Sequence, residues 1–212
     1  MRAAALPDAA ALLKFGMPAD MKPQGSMDSE VAYTIAPDKS AVLDLKGDLK
    51  GFGFTVPPAD YTKPEGDAGN VALTIRLKDG KAQRLTGLDL SSGGSSAKGD
   101  LEFTADGKEI AAAKFSRVQM AGNDVALDLQ NKGKDGYVMK VTGRQIDASP
   151  AFKDTKAKGD DEVAAKQVTP FRVTLDVDRV VMAKDKALQD VHGTIVRNGW
   201  ARLEQVNLDA LA

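Results

Sequence analysis

His192 is the sole histidine and the chain has no cysteine, so imidazole chemistry rests on one ring and thiolate nucleophiles or thiolate metal sites are excluded. General acid–base work needs an oriented partner within hydrogen-bond reach. Neither Val191 nor Gly193 beside it supplies one, so His192 reads as a structural strand residue. Asp160-Asp161-Glu162 places three carboxylates side by side. A calcium loop needs oxygen ligands at alternating positions around a sharp turn, so this run reads as a solvated acidic patch. Gly51 and Gly53, in Lys-Gly-Phe-Gly-Phe, imitate part of a phosphate-binding loop, but the remaining glycines and the following helix are missing. They read as a bend in a strand. Ser91 to Ser96 spells Ser-Ser-Gly-Gly-Ser-Ser, with no GxSxG elbow and no ordered His and acid partners; it reads as a turn. No catalytic residue, metal ligand or cofactor is expected.

The elements that carry these residues are strands. Asp79-Gly80, Asp106-Gly107 and Asp135-Gly136 recur at near-even intervals, and Asp-Gly tolerates the positive φ angles of tight hairpin turns. Around them, apolar and polar residues alternate with the period of two that gives a strand two unlike faces. The clearest run is Val71, Leu73, Ile75 and Leu77, opposed by Thr74, Arg76 and Lys78. Leu101 and Phe103, Ala113 and Phe115, Val125, Leu127 and Leu129, and Tyr137, Met139 and Val141 continue it. The predicted fold is mainly β, a curved antiparallel sheet of repeated hairpins with a short N-terminal helix. A sheet of serial units spreads function along a face instead of confining it to a pocket.

Composition narrows the function. Of 212 residues, 42% are apolar, enough for a sizeable core. Twenty-nine Lys and Arg against 30 Asp and Glu leave a net charge of −1, so no field favours nucleic acid or an anionic membrane surface. Aromatics are only 5%, too sparse for base-stacking platforms. The first residues meet Pro7 and Asp8 before a signal-peptide core can form, and no apolar run is long enough for a spanning helix.

Four stretches follow. Residues 1–24 hold a helix over Pro7 to Phe15 and an entry loop. Residues 25–152 form the repeated hairpin segment, with a bulge at Gly51 or Gly53 resetting the pleat and an edge-crossing loop over 57–69. Residues 153–169 are a polar charged insertion, mobile or helical. Residues 170–212 resume the hairpins through Phe171, Val173, Leu175 and Val177 and a turn at Asn198-Gly199.

Alternation alone favours a sandwich or barrel with a closed core. An open sheet with so many apolar stripes would exceed the exposed apolar patch a soluble monomer tolerates and would need an apolar cover. Acyl chains meet that need, because aliphatic walls bind by area. The runs Leu49-Lys-Gly-Phe-Gly-Phe-Thr-Val-Pro-Pro, Gly69-Asn-Val-Ala-Leu-Thr-Ile-Arg-Leu-Lys-Asp-Gly-Lys and Ser96-Ala-Lys-Gly-Asp-Leu-Glu-Phe resemble the central repeat region of YhdP-like members of the AsmA-like superfamily. Leu188-Gln-Asp-Val-His-Gly-Thr-Ile-Val-Arg-Asn-Gly-Trp-Ala is similar to a further strand-turn-strand unit of that group.

The resemblance implies a periplasmic segment of an inner-membrane-anchored protein of the Gram-negative envelope, which holds phospholipid acyl chains in an apolar β-groove between the two membranes. Its partners would be those acyl chains, neighbouring repeats of a longer chain and an anchor outside this segment, with no nucleic acid. The lipid-lining residues would be Leu73, Ile75, Leu101, Phe103, Phe115, Val125, Leu127, Leu129, Met139, Val141, Val173 and Leu175. The alternative is a non-enzymatic structural or interaction module of the envelope with a closed core.

Overall fold

The computed structural model describes residues 2–5, 19–57, 60–150, 169–198 and 205–211. The helix expected over Pro7 to Phe15, residues 153–168 of the insertion expected over 153–169 with Asp160-Asp161-Glu162, and Gly199 and Trp200 of the last hairpin lie outside them. Among the described residues, regular structure is almost wholly strand, and no helix is long and apolar enough to cross a membrane. The chain divides into two compact units, Met1–Ile110 and Ala111–Ala212.

The first unit contains β1 (Arg2–Ala5), β2 (Gln24–Gly25), β3 (Asp28–Ile35), β4 (Ser40–Asp48), β5 (Phe52–Val56), β6 (Tyr61–Lys63), β7 (Gly69–Lys78), β8 (Lys81–Ser92) and β9 (Ser95–Phe103). Its main sheet is antiparallel and runs linearly as β1-β3-β4-β7-β8-β9. The expected hairpin at Asp79-Gly80 is a two-residue turn with φ of 50° and 74°, closing Lys78 onto Lys81. Both signs match the twist that favours primed hairpin turns. Gly93-Gly94, within the serine-rich run, makes the same turn between Ser92 and Ser95.

Residues 52–56 depart from the sequence reading. They are not a bulged continuation of the main sheet but the centre of a second, three-stranded sheet ordered β2-β5-β6. The stretch read as a crossing loop supplies its third strand, Tyr61–Lys63. The physical reason is a separate core: Met27, Leu49, Phe52 and Phe54 are buried together, and Leu45, Val71 and Leu90 of the main sheet pack on them. The Phe52 and Phe54 rings are 6.1 Å apart and Tyr61 meets Phe54 edge-on at 6.2 Å.

The second unit contains β10 (Ile110–Met120), β11 (Asn123–Asn131), β12 (Tyr137–Asp147), β13 (Phe171–Ala183), β14 (Lys186–Arg197) and β15 (Gln205–Leu211). They too follow one another linearly, in chain order. All these pairings are antiparallel except β12 with β13, which run parallel. Parallel neighbours need a crossover connection of a dozen or more residues, and 148–170 is the stretch that joins them. Val141, Leu175, Val177 and Val191 form the buried core.

Candidate functional site

Strand register shows which side chains share a face, because residues directly opposite in a ladder point the same way. In the first unit Tyr33, Leu43, Ile75, Leu85 and Leu101 form one row across five strands. Val31, Leu45 and Leu73 form the next row. Phe103 lies two residues past Leu101 and so on the same face of β9. The expected Leu73, Ile75, Leu101 and Phe103 thus share a half-buried face with residues the sequence reading did not assign to it.

Leu85 was hard to find for a local reason. Leu85 and Leu88 differ in parity, yet a register shift lies between them and returns both to the apolar side. Gly87 makes that bulge at φ 64° and donates its N–H to the Asp100 carboxylate at 2.8 Å.

In the second unit Phe115, Leu127, Val141, Leu175, Gly193 and Leu208 form a row across six strands. Ala113, Leu129, Met139, Val173, Ile195 and Val206 form the row beside it. Val125 stands opposite Val118 on the same face. All eight residues expected to line this part therefore share one face. Val141 and Leu175 are buried and the other six half-buried. Sequence reasoning missed Ile195, Val206 and Leu208, which continue the rows by the same alternation.

The opposite face is polar. In the second unit one of its rows reads Lys114, Asp128, Lys140, Thr174, Thr194 and Asn207. In the first, Lys98 pairs with Asp89 at 2.8 Å, Arg84 pairs with Glu102, and Thr74 donates to Asp44 at 2.6 Å. A shallow depression of about 680 Å³ lies in the first unit, with Glu30, Lys46, Asp48, Asn70 and Asp89 among its lining residues, so it opens toward the charged side and not along the apolar rows. Among the described residues no three His, Cys, Asp or Glu side chains converge as metal ligands.

His192 does have an oriented partner, contrary to the sequence reading. Its Nδ1 lies 3.0 Å from Oδ1 of Asp176, directly opposite on β13. The partner comes from strand pairing, so neighbours in sequence could not reveal it. Both side chains are more than half exposed, which makes the pair a weak contributor to stability.

Hydrogen bonds from the Thr104 hydroxyl at 2.6 Å and the Lys108 amide at 3.2 Å hold the Asp106 carboxyl below its ordinary pKa. The one strongly buried cation among the described residues is Lys63, whose Nζ donates to the carbonyls of Phe52 at 2.7 Å and Pro64 at 3.0 Å. Burial pushes its pKa down, while Asp67, Asp48 and Glu65 oppose that shift. Its two carbonyl acceptors fasten β5 to the chain after β6, which is a structural task.

The two rows of the second unit consist of apolar side chains and Gly193, surfaces whose only attraction for a ligand is contact area. No protein-family model matches the chain, and comparisons with curated proteins and with solved structures find no match.

Proposed function

We propose that this chain is a segment of an envelope lipid-transfer bridge of the AsmA-like kind, holding phospholipid acyl chains on its apolar face in the periplasm, with the membrane anchor outside the segment. The observation that carries this reading is the pair of six-strand apolar rows in the second unit, half-buried over most of their length and backed by a charged face. Six strands at about 4.8 Å spacing span about 24 Å. One leaflet's hydrocarbon is about 15 Å deep, half of a bilayer core, so a row is long enough for one extended tail. Aliphatic walls without fixed donors let a tail slide, which transfer requires and a specific pocket would prevent.

The test places a photoactivatable cross-linking residue at Leu127 or Met139, on the apolar rows, and in separate proteins at Asp128 or Lys140, on the polar face. Mass spectrometry of the irradiated, purified proteins should find phospholipid adducts at 127 and 139 only. Adducts at none of the four, or equally at all four, would overturn the reading and leave the closed-core interaction module as the account of this chain.

A further inference from the structure

The apolar face of the first unit is not uniform along its strands. Ser29, Gly47, Val71, Leu90 and Ala97 stand opposite one another in a row across five strands. This row shares its face with the row of Tyr33, Leu43, Ile75, Leu85 and Leu101, about 13 Å away along the strands. Ser29 and Ala97, at the two ends of the first row, are 4% and 5% exposed, whereas Tyr33, on the same strand as Ser29, is 40% exposed.

The cover over the first row is the chain itself. A Cβ on Gly47 would overlap the Met27 sulfur, so Met27 lies directly on β4 at that point. Val71, Leu90 and Leu45 pack on the core formed by Met27, Leu49, Phe52 and Phe54. Tyr61 of β6 joins the same core, and its hydroxyl donates to the Ser92 carbonyl of β8 at 3.5 Å. Leu43, Leu73, Ile75, Leu85 and Leu101 do not belong to this cluster.

The small sheet is fastened where it leaves the main one. The amides of Ser26, Leu49 and Gly66 donate to the carbonyls of Gly51, Gly69 and Lys50 at 2.9, 2.8 and 2.7 Å. Lifting it would expose Met27, Leu49, Phe52 and Phe54 to water. These side chains and an acyl chain compete for the same apolar surface, since both bind by area. Where the small sheet is seated, no tail can lie.

We propose that the β2-β5-β6 sheet is a fixed stop on the lipid-binding face of the first unit. It occupies the row through Gly47, Val71 and Leu90 and confines a tail to the row through Leu43, Ile75, Leu85 and Leu101. That row crosses five strands, about 19 Å at about 4.8 Å spacing, long enough for one tail in a leaflet about 15 Å deep. This inference rests on the lipid reading and adds which part of the face the ligand uses.

The test uses the whole chain, incubated with phosphatidylethanolamine vesicles, purified again and irradiated. A photoactivatable residue at Leu85 should capture phospholipid, as one at Leu127 does under the lipid reading. At Leu90 it should capture no lipid and instead a peptide of the small sheet containing Phe52 and Phe54, identified by mass spectrometry of the digest. Val71 serves as the covered position should the Leu90 protein lose the circular dichroism of the parent. Adding Met27→Lys, whose ammonium cannot be buried against Gly47, should bring phospholipid to position 90 while position 85 keeps its adduct. Phospholipid at 85 and 90 alike without that substitution, or at 127 but at neither of them, would overturn the stop and leave the lipid reading standing. Position 90 staying free of lipid in the Met27→Lys protein would do the same. Absence of any adduct at 127 removes the lipid reading itself, and the stop with it.

Discussion

Val177 of β13 and Val191 of β14 stand directly opposite each other and are 2% and 0% exposed, the centre from which burial in the second unit falls away. Their cluster includes Ile146, Val180 and Leu188, whose positions have the other parity. Asp190, with φ 49°, lies between Val191 and Leu188 where that parity switches. The two valines are thus the seam at which two apolar stripes meet.

Val191→Ala should cost about 2 kcal/mol of unfolding free energy, the transfer of two methylene equivalents at about 0.8 kcal/mol each plus a cavity term. Val206→Ala, on β15 and half exposed, should stay within about 0.5 kcal/mol. Urea titration followed by circular dichroism measures both, and equal costs would contradict the burial gradient.

Gly193 faces Leu208 across β14 and β15 at φ 154°, and a Cβ there would overlap the carbonyl oxygen of Asn207. No side-chain rotation relieves a clash with backbone, so Gly193→Ala must displace β15 or strain β14 by about 1–3 kcal/mol. Hydrogen exchange should show the amides of 205–211 opening about tenfold faster, with those of β13 near Val173 unchanged. Unaltered protection of β15 would refute this account of the glycine.

Lys63 offers a pH-dependent readout. Burial depresses its folded-state pKa below the ordinary 10.5 of the unfolded chain. Between those two values the unfolded chain binds the extra proton, so wild-type stability gains as pH rises through the window and the burial cost of the cation is relieved. Below the depressed pKa both states are charged and the cost is fully present. Lys63→Met removes the titration and leaves the Phe52 and Pro64 carbonyls without their donor, at about 1–3 kcal/mol. The wild-type advantage over Lys63→Met should therefore grow as pH rises through the window below 10.5; an advantage that shrinks would reverse the assigned cause.

Much of the strand content was legible because the side-chain period is local. Val71 to Leu77 and Val125 to Leu129 alternate cleanly and are strands with the expected faces. Strand β8 was not legible, since the bulge at Gly87 puts Leu85 and Leu88 on one face against their parity. The small sheet was misread because Phe52 and Phe54 keep a strand period while changing partner, and period carries no information about partner.

The mainly β character and the identity of most apolar-face residues follow from composition, turn chemistry and alternation, which act over a few residues at a time. Which strands are neighbours, that β12 and β13 run parallel, that Asp176 finds His192 and that Leu208 of β15 is left exposed are decided only on folding. Each of these joins residues through a ladder, where burial and hydrogen bonding are settled by the partner strand and not by the neighbours along the chain.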